Sequence, residues 1–292
     1  MVGTASCCTA ADMASTLGIG VALKWVDLRP EVDPLSGSVH DDGHSAGCSA
    51  ADQAALEWAL LLAQRWSAEV TVVAVGPAGA EALLRDALAV GATRAVRIDG
   101  SGSEPSDHVA AALAGALTDA ELVCCGDYSS DRGSGSVPAY LAARLGAAQA
   151  LGLVQIDPQG DPGRLVATRR LDGGRREVLS VSVPAVISVE GSSAELRRAG
   201  LGAVLATRTA LIDVRTASTA GSRSAVRVTG INAYRPRPRV LPPPAADLDV
   251  RDRILALTGA LVERTPPRTI HADTAEAADL MLEQLRAWGE IE

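Results

Sequence analysis

From residue 17 onward the chain alternates between two hydrophobic periods, which predicts a series of strands and helices. Residues 17–26 read as a buried strand, and a polar, Gly-rich loop follows over 28–47. The next segment, 50–66, reads as a helix, with Leu56, Ala59, Leu60 and Ala63 recurring on one face. Residues 70–75 are a near-continuous apolar run, as expected of a strand buried on both faces of a parallel sheet. Gly76 and Pro77 end it, and Ala80, Leu83, Leu84, Ala87 and Leu88 form a second helical stripe closed by Gly91. Residues 95–98 read as a strand, Ser106 as the N-cap of a helix reaching Leu117, and 122–125 as a strand ending at Gly126. A further helix is expected over 137–145.

Strands separated by helix-length crossovers define a parallel, doubly wound sheet, so the fold class is α/β and Rossmann-like. In such sheets ligands sit beyond the carboxyl ends of the strands, which singles out the loop after residue 125. Past residue 145 the pattern changes. Residues 165–171 and 177–183 are strand-like and are joined through Asp172-Gly173-Gly174, a hairpin signal. Residues 185–189 read as one more buried strand, and the chain beyond Gly191 as irregular. A Pro/Arg segment over 234–244 cannot form helix or sheet, and helices are expected over 249–263 and 274–288. The expected organisation is a disordered leader over 1–16, an α/β domain over 17–230 and a C-terminal arm with helices over 231–292.

Composition narrows the function. The 292 residues carry 27 basic and 35 acidic side chains, a formal charge of −8, which disfavours nucleic acid or an anionic membrane as partner. No segment approaches the ~20 apolar residues of a membrane span. The five cysteines, Cys7, Cys8, Cys48, Cys124 and Cys125, fit neither a disulfide framework nor a zinc pattern, so a reducing, cytoplasmic setting is expected. His40, Asp41, Asp42 and His44 with Cys48 offer metal-ligand types, but their Gly/Ser surroundings read as a solvated loop. Lys24, at the end of the first strand, reads equally as an anion partner or a strand-edge charge. No catalytic constellation stands out.

The strongest candidate is the stretch from Gly126 to Val137, Gly-Asp-Tyr-Ser-Ser-Asp-Arg-Gly-Ser-Gly-Ser-Val. Its glycines permit close backbone approach, and successive N–H groups can form an anion nest ahead of a helix N-terminus. No Walker lysine follows, so it is not the GxxxxGK[ST] loop.

The stretch Ala167-Thr168-Arg169-Arg170-Leu171-Asp172-Gly173-Gly174-Arg175-Arg176-Glu177-Val178-Leu179, followed after four residues by Pro184-Ala185-Val186-Ile187-Ser188, resembles the signature of the electron transfer flavoprotein beta subunit family. Ala22-Leu23-Lys24, the run from Ser49 to Glu57, Val73 to Pro77, Arg85 to Ala92 and the loop from Gly126 are similar as well. The resemblance implies an adenine nucleotide alpha hydrolase-like sheet with an added β-hairpin and an extended C-terminal arm that wraps an alpha subunit. It implies an electron-carrying heterodimer, not a catalyst on its own, with FAD shared with the alpha subunit and AMP or a second FAD in the beta subunit.

By position, the resemblance puts adenine against Ala22, Val75 and Ser129. The phosphate falls near Asp131, Gly135, Ser136 and Val137, with Ser49 nearby. In this loop the family commonly has acidic residues and an Ala-Gln-Val or Asn-Gln-Thr triplet; here stand Arg132-Gly133 and Gly135-Ser136-Val137. A partner-recognition leucine corresponds to Leu201, where a flavin- or nicotinamide-linked dehydrogenase would dock. No nucleic acid and no membrane insertion are expected. The alternative function is a free-standing adenine-nucleotide-binding regulator of the stress-protein type.

Overall fold

The computed structural model describes residues 17–33, 36, 38–40, 45–157, 161–217, 229, 244–245, 247–258 and 269–287. The chain divides into two compact units, Met1–Tyr234 and Arg235–Glu292. In the first, β1 (Gly18–Leu23) leads to four two-residue strands, β2 (Val26–Asp27), β3 (Glu31–Val32), β4 (Val39–His40) and β5 (Ala46–Gly47). Then come α1 (Ala50–Trp66), β6 (Glu69–Gly76), α2 (Ala80–Val90), β7 (Arg94–Asp99), α3 (Ser106–Ala116), β8 (Leu122–Gly126) and α4 (Val137–Leu145). β9 (Ala148–Asp157), β10 (Arg164–Arg170), β11 (Arg176–Ser182), β12 (Ala185–Val189), α5 (Leu201–Thr207) and β13 (Asp213–Thr216) complete the unit. The second unit holds α6 (Val250–Thr258) and α7 (Thr274–Ala287), neither of which buries a residue.

The main sheet runs β11-β10-β9-β12-β8-β1-β6-β7-β13. The pairs from β9 to β13 are parallel, and β10 joins β9 and β11 antiparallel. Strand β6 shows why the apolar runs exist. Val70, Val72 and Ala74 enter one core with α1 and α2, while Val73 and Val75 enter the other with α3 and α4. The sheet is therefore covered on both faces, as the doubly wound reading requires. After β1 the chain adds β6 and β7 to one side, then returns to lay β8 on the other. That reversal opens a crevice beyond the ends of β1 and β8.

Several expectations are corrected. The first strand stops at Leu23, and Val26 belongs instead to a small antiparallel ladder with β5 inside what reads as loop. Ser106 is the first helical residue of α3, not its cap; Pro105 occupies the cap position without a side-chain bond. Strand β9 escapes a period-two reading because its buried residues, Ala150, Leu153 and Ile156, are three apart. Register shifts against β10 and β12 and a positive φ of 69° at Gly152 break the alternation. The stretch beyond Gly191 holds α5, which buries nothing, and the exposed edge strand β13, so neither leaves a hydrophobic signature. The leader, His44, residues 231–243 and 259–268, and Trp288 lie outside the described residues.

Candidate functional site

A cleft opens at the reversal point. Its apolar walls include Ala22 and Leu23 from the end of β1, Val75 from β6, Cys125 from β8 and Val109 and Leu113 from α3. Two loops border it: residues 126–137, between β8 and α4, and residues 100–106, between β7 and α3.

The first loop is shaped by its glycines. A Cβ at Gly126 would stand 2.5 Å from Asp52 Oδ1 and 2.8 Å from Asp52 N, so β8 passes against α1 only because no side chain is there. Gly135 has a φ of +56°, and a Cβ there would meet the Asp127 carbonyl oxygen at 2.5 Å. This turn delivers the chain to the start of α4, whose cap residue Ser136 makes no side-chain capping bond. The first amides of a helix lack intrahelical acceptors, and the helix dipole adds partial positive charge. Ser134 and Ser136 bring their hydroxyls together at 3.1 Å. Backbone N–H groups and hydroxyls thus make this border a donor surface suited to a phosphate.

Three ties hold the loop. Ser49, the N-cap of α1, accepts a hydrogen bond from Asp52 N at 3.1 Å and donates to the Tyr128 carbonyl at 3.2 Å. Lys24 Nζ grips both Asp131 oxygens, at 2.7 and 2.6 Å. Burial raises the Asp131 carboxyl, but the bond from Lys24 leads the opposing effects and the group is held below its ordinary value. Arg132 donates to the Glu104 carbonyl at 2.7 Å and to the Ser103 carbonyl, joining the two borders.

Beneath them lies Asp52, in the first turn of α1. It is buried, accepts a bond from Lys24 N at 3.2 Å, and lines the cleft. Burial pushes its carboxyl up to about 7, against opposing bonds from Lys24, Ser49 and Gly126. Glu104 is the acidic group of the second border. Burial raises it, while bonds from the backbone of Glu104 and from Ser101 bring it below the ordinary glutamate value.

Of the residues expected at the nucleotide, Ala22, Val75, Ser129, Gly135, Ser136 and Val137 line the cleft. Ser49 and Asp131 instead secure its loop from behind. The Lys24 alternative resolves toward an anion partner, although the anion is the chain's own Asp131. Asp52, Glu104 and Arg132 went unassigned by sequence reasoning. Only the placement of residues 100–106 after a parallel strand signals the second border.

Leu201 lies apart from the cleft lining. It opens α5 and is 74% exposed, so it is not a packed residue. The segment before it is fixed to α1 by Arg197, whose backbone N and side chain meet the Glu57 carboxylate at 2.8–3.1 Å. Burial raises Glu57, and the Arg197 bonds outweigh it and lower the carboxyl. Cys124 and Cys125 are free and buried; burial pushes Cys124 up to about 12 and raises Cys125 as well, which keeps the thiols protonated. His40 is exposed, and no three His, Cys, Asp or Glu side chains among the described residues are grouped to hold a metal ion. No helix among the described residues is long and apolar enough to cross a membrane.

A largely parallel, doubly wound sheet with a donor loop at its reversal point puts the chain in the Rossmann-like α/β class. The electron transfer flavoprotein domain matches this chain over residues 37–220. Over 205 residues the chain is 30% identical to the electron transfer flavoprotein subunit beta of Syntrophomonas wolfei, covering 69% of this chain and 79% of that one. The subunit beta of Mycobacterium bovis is 31% identical over 183 residues, 59% of this chain and 68% of the relative. Protein FixA of Azorhizobium caulinodans is 30% identical over 199 residues, 65% and 71% of the two chains. The chain belongs to the electron transfer flavoprotein beta subunit family.

Proposed function

We propose that this chain is one half of a heterodimeric electron carrier. It pairs with an alpha subunit, passes electrons from a dehydrogenase to a downstream acceptor, and holds an adenine nucleotide, AMP or the adenosine end of a second FAD, in the cleft. The observation that carries the reading is the cleft itself, in a chain of this family: apolar walls beside a Gly/Ser loop, with the start of α4 at its end. These residues fit the group. Ala22, Val75 and Val109 offer flat apolar contact to a base, and the backbone around Gly135, Ser136 and Val137 meets a phosphate without needing a lysine. FAD supplies the redox chemistry when bound, chiefly on the alpha subunit, while this chain's residues position and partner it.

Co-expression with the alpha subunit tests the reading. The expected product is a 1:1 heterodimer that releases FAD on denaturation, together with AMP or FAD in a second equivalent identified by chromatography. A stable, yellow monomer of this chain, or a heterodimer with no adenine nucleotide beyond the shared flavin, overturns it.

Leu201 is the proposed anchor for the dehydrogenase. A leucine seated in a partner pocket contributes roughly 1.5–3 kcal/mol, about one to two decades in affinity. Because Leu201 is exposed in this chain, Leu201→Ala is expected to weaken docking by that amount and leave stability and flavin content unchanged. Electron transfer measured against carrier concentration checks it; unchanged concentration dependence removes the anchor.

A further inference from the structure

Arg132 is the one basic side chain on either border of the cleft. It lines the cleft and is also exposed to solvent, which puts it at the mouth. It is nonetheless pinned. One Nη donates to the Glu104 carbonyl at 2.7 Å and the other to the Ser103 carbonyl, so the side chain spans from the first border to the second. Both acceptors are neutral main-chain oxygens, and the Nε–H takes no bond among the described residues.

The neighbouring charges are already engaged. Lys24, the other cation of the lining, is held by both oxygens of Asp131 at 2.7 and 2.6 Å. The Glu104 carboxylate is turned to its own loop, where the Ser101 N–H donates to it at 2.5 Å and the Ser101 hydroxyl at 3.0 Å. No ion pair among the described residues includes Arg132. A guanidinium without a counter-ion has an anion to gain, and its planar fork of N–H groups matches a phosphate. Because the side chain is pinned beforehand, it has little freedom to lose when the anion arrives.

We propose that Arg132 is the cation of the phosphate site: its guanidinium, held at the mouth by the carbonyls of Ser103 and Glu104, binds the nucleotide phosphate beside the backbone donors of Gly135, Ser136 and Val137. The loop then supplies hydrogen bonds and Arg132 supplies charge. The site favours a doubly charged phosphate over a singly charged or uncharged end. This rests on the cleft being an adenine-nucleotide site.

The test follows AMP bound to the full-length protein by phosphorus NMR across pH, with calorimetric titration of AMP at low and high salt. A hydrogen bond to a charged group accounts for about 10- to 100-fold in affinity. In wild type the bound phosphate is expected to take up its proton at lower pH than the phosphate of free AMP, because the guanidinium favours the dianion. Arg132→Gln is expected to weaken AMP by about that factor, to flatten the salt dependence and to move the phosphate titration back up. A side chain that only ties the borders together would change affinity without moving that titration.

A bound phosphate that titrates like free AMP in wild type removes Arg132 from the role and leaves the nucleotide site standing; this comparison needs no variant. A phosphate titration that is the same in Arg132→Gln as in wild type also overturns the proposal, whatever the affinity of the variant. No binding of AMP by wild type overturns the nucleotide reading and this proposal together.

Discussion

The two borders of the cleft do opposite chemistry with opposite materials. Residues 126–137 present backbone N–H groups and serine hydroxyls, with glycines setting the path; residues 100–106 present a single carboxylate acceptor. The donor border is fixed from three directions, by Ser49, Lys24 and Arg132, whereas the acceptor border hangs on Arg132 and its own serine bonds. A backbone surface suits a phosphate, which every nucleotide carries, and tolerates changes of side chain. The first border therefore offers donors and the second a carboxylate.

The largest change is expected from the floor they share. Asp52 has a folded value near 7 against an ordinary 3.8, so the folded chain keeps a proton that the unfolded chain has released. Its contribution to stability is complete below about pH 4 and is lost as pH rises through about 7, a change on the order of 4 kcal/mol. Asp52→Asn keeps the acceptor for Lys24 N and removes the titration. Chemical denaturation across pH should show the variant gaining on wild type between pH 4 and 7 and the gap levelling above. A gap independent of pH means that Asp52 is ionised throughout.

Next comes the donor border. Ser136→Asp sets a carboxylate beside the place of the phosphate, at a cost of about 3 kcal/mol or more when partly buried, hence a loss of at least roughly 100-fold in nucleotide affinity. Aspartate is a good N-cap, so α4 should be no less stable, and thermal melting separates lost binding from lost fold. Retained nucleotide in the Asp variant would place the phosphate elsewhere.

The smallest effect belongs to the Lys24–Asp131 pair, about one-third exposed on each side. Lys24→Met is expected to cost no more than about 1 kcal/mol of stability. It should let the Asp131 carboxyl rise toward its ordinary range, readable by NMR titration. An unshifted Asp131 would mean that the donor border stands without Lys24.

The same contrast explains what was legible in the sequence. The donor border announces itself, because backbone recognition needs glycine and serine in a short contiguous run. The acceptor border does not: Glu104 is one acidic residue in a polar loop, and its place beside the donor border depends on Arg132, a contact the chain makes only once folded. The sheet divides likewise. Strand β6 and helix α1 carry long apolar stretches that the sheet and its helices bury, and are read directly, while β9 is interrupted by its bulges and β13 lies at an edge with little to bury. Ser49 falls between the cases: its position is legible, but it serves the loop from behind the wall.

Helix α1 also makes the molecule its own optical probe. The chain has no phenylalanine, only three tyrosines and four tryptophans, and α1 carries two of the tryptophans, Trp58 and Trp66, both buried. Trp58 donates its indole N–H to Ser193 at 3.2 Å and directly follows Glu57, whose carboxylate fixes the segment leading to Leu201. The opening turn of the same helix carries Asp52 under the cleft. Much of the intrinsic fluorescence therefore originates on the one rod that runs from the floor of the cleft to the tie holding the segment before Leu201, so events at either end are visible without an added dye.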